Sequence, residues 1–163
     1  SGHLSTIVEG RVLDDDAVVL FETDKGAKGL LNVSQIATGE ENGLAIRIYG
    51  TKGSLEWHQM DPNTLTLKWL DNSRTILRAG NDHAGEGAQS QSRIPSGHPE
   101  AFLEAFGNLY RNFAAQVRSY KAGTNAPATA IVPNIDDAVH GMAVIEAVVT
   151  SSQNDHAWTK VEA

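Results

Sequence analysis

No cysteine occurs anywhere in the chain, which excludes a disulfide framework, a thiolate nucleophile and any Cys-based metal site. Positive charge is scarce too. Lys and Arg number 13 against 20 Asp and Glu, for a net charge of -7, and they form no basic run. A surface that neutralises nucleic-acid phosphates needs clustered Lys and Arg, so no nucleic-acid partner is expected. Apolar runs fall far short of the ~20 residues of a membrane span, so no membrane partner is expected either. The start, Ser1-Gly2-His3-Leu4, has neither the basic flank nor the apolar stretch of a signal peptide. A cytoplasmic chain, trimmed from something longer because it opens without Met, is the expectation.

Chemistry-bearing motifs are missing as well. No G-x-G-x-x-G unit appears, no G-x-S-x-G elbow, and no His pair spaced as H-E-x-x-H. Gly50-Thr51-Lys52-Gly53-Ser54 fails the spacing of a phosphate loop and reads as a hairpin turn. The six histidines are scattered, so no metal site is expected.

What is present changes period halfway along. The first half reads as strands over Ser5–Arg11, Ala17–Thr23, Lys28–Ala37, Gly43–Tyr49, Ser54–Gln59, Thr64–Leu70 and Arg74–Arg78. Short polar turns between them predict antiparallel pairing. In Pro99–Ala122 the residues Phe102, Phe106, Leu109, Phe113, Val117 and Tyr120 recur at helical steps. Pro99 suits the first helical position, Gly123 the stop, and the stripe is expected to pack on the sheet. A second helix is expected from Ile135 to Ser152, capped by Asn134. Gly107 and Gly141, inside these helices, mark either a close approach or chance. The fold class is therefore α+β: a large, mostly antiparallel sheet with two C-terminal helices on one face, in a single domain over residues 1–163. Gly80–Gly97, rich in Gly, Ser, Gln and Asn, is expected to be a flexible loop.

Three places could touch a ligand. His98 precedes the long helix at its positive end, where the dipole disfavours an imidazolium, so it could share hydrogen bonds with a hydroxyl ligand. It could equally fill a turn. Glu40, Glu41 and Asn42 form a polar loop suited to sugar hydroxyls or simply to solvent. Asp136 and His140 are four apart on one helix; the acid reads better as a helix-terminus group and the histidine as an ordinary one.

Ile46-Arg47-Ile48-Tyr49-Gly50-Thr51-Lys52-Gly53-Ser54-Leu55-Glu56-Trp57 resembles the signature hairpin of the second domain of the glucose–fructose oxidoreductase / inositol dehydrogenase (Gfo/Idh/MocA) family. Asp14-Asp15-Asp16, Ser34-Gln35-Ile36-Ala37, Gly97-His98-Pro99-Glu100 and Ile145-Glu146-Ala147 agree with it, in order, along nearly the whole chain. The resemblance implies a dihydrodipicolinate-reductase-like C-terminal domain from a two-domain sugar or polyol oxidoreductase. Its N-terminal Rossmann domain would bind NAD or NADP and carry a Glu-Lys-Pro motif, and an Asp-x-x-x-His pair would lie upstream of Ser1. Asp136 and His140 copy that spacing in the wrong place. By this reading the fragment holds no catalytic residue, no cofactor and no metal, and is inactive alone. It supplies part of the substrate wall through His98, Glu40, Glu41 and Asn42, and builds a homodimer or tetramer through its open sheet face. The alternative is a free-standing α+β interaction or small-ligand-binding module with no catalytic role.

Overall fold

The computed structural model describes residues 1–162. Its strands are β1 (Gly2–Ser5), β2 (Asp16–Glu22), β3 (Lys28–Ser34), β4 (Ala45–Tyr49), β5 (Gly53–His58), β6 (Thr64–Trp69) and β7 (Thr75–Arg78). The helices are α1 (Glu86–Gln91), α2 (Phe102–Ala122) and α3 (Ile135–Gln153). The α+β class holds. The strands form two antiparallel sheets, β1-β2-β3 and β4-β5-β6-β7, in two compact units. One comprises Ser1–Glu41 with the chain from Pro133 onward; the other is Asn42–Val132.

In the first unit the opening strand lies at Gly2–Ser5 and not at the expected Ser5–Arg11. Ile7 and Val8 look like strand residues, but their N–H groups donate to the Asp15 carboxylate at 2.8 and 3.1 Å. Amides held by a carboxylate cannot also join a ladder. Arg11 pairs with the same group at 3.4 Å. The Ile7 N–H, more than Val8 or Arg11, holds the Asp15 carboxyl below its ordinary range.

Register places Gly2 opposite Val19, Val19 opposite Leu31 and Phe21 opposite Gly29 on one face. Helix α3 covers that face beside β1, so closely that a Cβ on Gly2 would sit 2.8 Å from Val148 Cγ1. The Phe21 ring lies over Gly29, filling the space a side chain there would need. Asn134 caps α3 as expected, accepting from the N–H groups of Asp136 and Asp137.

The second unit holds a four-stranded meander whose faces differ, although Ile76 stands on the polar one opposite Thr66. Ile46, Ile48, Leu55, Trp57, Leu65, Leu67 and Leu77 share one face, and Arg47, Glu56, Thr66 and Lys68 the other. Gly50 donates to the Gly53 carbonyl at 2.8 Å to close the first hairpin. Gly53 has no room for a Cβ, which would stand 2.8 Å from the Lys68 carbonyl oxygen.

Helix α2 begins at Phe102, not at Pro99, with Ala101 at its cap. Glu104 starts it by accepting the Ala101 N–H at 3.0 Å, and that bond holds its carboxyl below the ordinary range. Gly123, left-handed at φ 67°, ends it. The aromatic stripe does not bury itself on a sheet: Phe102 remains 58% and Phe113 59% exposed. The buried residues of α2 are Asn108 and Asn112, because segment 80–97 and the stretch before Pro133 lie on that side. Asn108 donates to the Gln91 carbonyl and accepts from Arg93 Nε; Asn112 donates to Gln91 Oε1 and to the Ile131 carbonyl. Segment 80–97 thus contains α1 and is tied to α2 by these amides. Gly107 lies against the Arg93 guanidinium, a close approach. Gly141 has open space around it.

Candidate functional site

His98 sits in the second unit, in a turn of four residues. Its N–H donates to the Pro95 carbonyl at 3.3 Å, and Gly97 between them takes φ 87°, the pattern of a type II turn. The ring returns to the same carbonyl, with Nδ1 at 3.2 Å. A carbonyl oxygen only accepts, so Nδ1 donates to it, and in the neutral tautomer that this bond requires Nε2 is the nitrogen with the lone pair. The side chain is exposed. Helix α2 starts four residues later, beyond the range over which a helix dipole acts strongly. The ring is therefore oriented by Pro95, and the expected dipole effect is not what sets it.

Glu40 and Glu41 close the first unit and Asn42 opens the second. All three are exposed. Glu40 donates its N–H to Ala37 in a tight turn, Glu41 is left-handed at φ 49°, and the Asn42 carbonyl accepts from Gln59 Nε2 at 3.3 Å. Their side chains make no hydrogen bond among the described residues. Asp136 and His140 are not hydrogen-bonded to each other either. The Asp136 amide is engaged by the cap, and His140 lies on a cleft.

That cleft, of about 630 Å3, belongs to the first unit. Its wall combines apolar side chains, Val19, Phe21, Leu31, Val144, Val148 and Trp158 among them, with polar ones that include Glu22, Asp24, His140 and Lys160. Its size suits a ligand or an apolar segment of chain.

The sequence reading passed over one charged cluster. On the polar face of β4–β6, Glu56 Oε1 accepts from Arg47 Nε at 3.2 Å and meets His58 Nε2 at 3.0 Å, while Lys68 holds the other oxygen. The Lys68 hydrogen bond, then that of His58, brings the Glu56 carboxyl down to about 2. Strand register brings Arg47 and Lys68 to Glu56, as its partner across β4–β5 and its diagonal neighbour across β5–β6, while His58 lies two residues along the same strand. No group of side chains suited to a metal ion occurs among the described residues, and no described helix is long and apolar enough to cross a membrane.

Every strand pairing among the described residues is antiparallel. The parallel βαβ unit whose first helix receives a pyrophosphate therefore has no counterpart.

Comparison with known proteins completes the picture. Residues 3–162 match the family model described as "Oxidoreductase family, C-terminal alpha/beta domain". The uncharacterized oxidoreductase YfiI of Bacillus subtilis (strain 168) is 30% identical over 149 residues, which are 91% of this chain and 38% of that protein. An oxidoreductase from Sinorhizobium meliloti superposes with a TM-score of 0.90 at 44% identity, over 98% of this chain and 45% of that one. An inositol dehydrogenase homologue from Azotobacter vinelandii, complexed with NADH and myo-inositol, gives a TM-score of 0.85 at 32% identity. That match takes in 98% of this chain and 42% of that one. The chain thus spans less than half the length of these relatives. Its hairpin, its antiparallel sheets and its matched span together make it a member of the Gfo/Idh/MocA oxidoreductase family, corresponding to the family's C-terminal alpha/beta domain.

Proposed function

We propose that the chain is the substrate-side and assembly domain of a nicotinamide-dependent polyol or sugar dehydrogenase, and that it lacks activity without the rest of that enzyme. The likeness to a homologue that holds NADH and myo-inositol carries the reading. Exposed apolar surface supports it. The α2 stripe and the cleft beside Trp158 are left bare, and patches of this kind are normally covered by another body. Here the cover would be the other half of the full-length protein, which would also hold the nucleotide. Hydride transfer needs the polyol carbon fixed against the nicotinamide, and this domain would contribute one wall of that arrangement.

On this wall His98 is the residue of choice. Its Nε2 can accept a hydrogen bond from a substrate hydroxyl, with the ring already oriented. Glu40, Glu41 and Asn42 are a second candidate contact, free to accept from hydroxyls, and are to be tested separately. The experiment is steady-state oxidation of myo-inositol with NAD+ by the full-length protein. His98→Ala should lower kcat/KM for the polyol roughly tenfold or more, with NAD+ affinity unaltered. An unchanged kcat/KM would return His98 to a turn-filling role.

A further inference from the structure

The turn bearing His98 is clamped from three sides. We infer that Glu100, held by Asn63, is a positioning residue for His98; the inference rests on the reading of His98 as a substrate contact. The Glu100 carboxylate folds backward, and its Oε1 accepts the Arg93 N–H at 2.7 Å. One side chain thereby ties the two ends of the six-residue stretch Ile94–Pro99 together. Glu100 is itself held by a reciprocal pair. Asn63 Nδ2 donates to the Glu100 carbonyl at 2.7 Å, and Asn63 Oδ1 accepts the Glu100 N–H at 3.3 Å. Asn63 in turn is anchored where β6 and β7 meet, since its carbonyl accepts the Ala79 N–H at 2.9 Å. The next residue, Gly80, completes the seat. At φ 78° it lies so close that a Cβ would stand 3.0 Å from Ser96 N and 3.2 Å from Ser96 Cα.

None of this serves the helix that follows. The first turn of α2 is started by Glu104 on Ala101, whereas the Glu100 carboxylate points away from α2 to residue 93. What it stabilises is the loop. A histidine on an untethered loop would lose conformational freedom on meeting its ligand, and binding would be weakened by that cost. The clamp meets the cost in advance and also sets the direction of Nε2. The Arg93 N–H is neutral, so the clamp needs an acceptor oxygen and not a charge. Gln should therefore replace Glu100, and Ala should not.

Two measurements test this. Hydrogen exchange on the 163-residue chain reads the clamp without any substrate. Glu100→Ala should speed exchange of the amides from Arg93 to His98 roughly tenfold and leave the middle of α2 unchanged. Glu100→Gln should match the parent, and Gly80→Ala should repeat the effect of Glu100→Ala. Turnover of myo-inositol with NAD+ by the full-length protein reads the consequence. Glu100→Ala should lower kcat/KM for the polyol roughly tenfold, keep KM for NAD+, and be rescued by Gln at the same position. Unchanged exchange in Glu100→Ala, or a Gln variant as impaired as Ala, overturns the clamp. Faster exchange with kcat/KM lowered by His98→Ala but not by Glu100→Ala overturns the positioning role. If exchange speeds up while neither variant alters turnover, the clamp stands and the reading of His98 falls.

Discussion

The Gly2 N–H donates to Ser151 Oγ at 2.9 Å, and the same hydroxyl donates to the Ala157 carbonyl at 2.6 Å. Ser151 is 1% exposed, so one hydroxyl joins the first strand, the end of α3 and the tail where water scarcely reaches. Leu4 repeats the arrangement by donating to Ser152 Oγ at 3.1 Å. These two serines occupy backbone donors of β1 that would otherwise leave an open sheet edge.

Ser151→Ala leaves the buried Gly2 N–H without its acceptor, while the Ala157 carbonyl, on an exposed residue, keeps the Thr159 hydroxyl. The expected loss is about 1–3 kcal/mol. Chemical denaturation followed through Trp158 fluorescence, with Trp57 and Trp69 of the other unit replaced by Phe in both proteins, measures it. A loss below roughly 0.5 kcal/mol, typical of surface sites, would show that the hydroxyl contributes little.

Much of this fold was legible in the sequence because its strands are short, alternating and separated by turn residues. The strands from β2 to β7 fall within a few residues of their expected limits, and Asn134 and Gly123 sit at the helix ends where their chemistry put them. Errors arose where a side chain claimed a backbone group from a distance. Ile7 and Val8 are drawn off by Asp15. Pro99 suits a first helical position, but Glu100 turns its carboxylate to Arg93 and the helix waits for Glu104. The α2 stripe misled in another way. Periodicity identifies an apolar face but not what covers it, and in this chain the covered face is the one with Asn108 and Asn112. Among the candidate contacts, His98 could be named from its place before the helix. The clamp was not, because Asn63 and Glu100 are 37 residues apart. The Glu56 cluster was hidden for the same reason, since it exists only once register is known.

Glu56 offers a pH prediction with a definite sign. Its carboxyl is depressed from 4.5 to about 2 by Lys68, His58 and Arg47. The folded state thus binds the proton more weakly than the unfolded chain, and the cluster stabilises the fold fully above the unfolded value. That stabilisation fades as pH falls from 4.5 towards 2. Glu56→Gln should lower the denaturation midpoint at neutral pH, and the gap to the parent should close through this window. Asp15 and Glu104 titrate in the same direction, so the difference between the two proteins, not the parent alone, is the quantity to follow. A gap that stays constant with pH would mean that the variant acts through packing.

The open face of the first sheet makes the last prediction. Helix α3 lies on the face of Gly2, Val19 and Leu31, and the opposite face carries Val18, Leu20 and Leu30 among His3, Ser5, Asp16, Glu22, Lys28, Asn32 and Ser34. Leu20 and Leu30 are register partners, 50% and 65% exposed, so they form one contiguous apolar strip with Val18 beside it. An antiparallel sheet can leave a face in water, and the side chains around this strip are polar, but the apolar strip itself is uncovered. A strip like this is better explained as a contact surface, and pairing it with itself about a two-fold axis is the simplest closed solution. Light scattering after size exclusion at micromolar concentration should therefore give the mass of a dimer or larger. Leu30→Lys should return the mass of one chain with an unchanged circular dichroism spectrum, because its side chain supports no core. A monomeric parent would refute self-association through this face. A parent that associates but is indifferent to Leu30→Lys would move the interface to another surface, with the exposed stripe of α2 as the next to be altered.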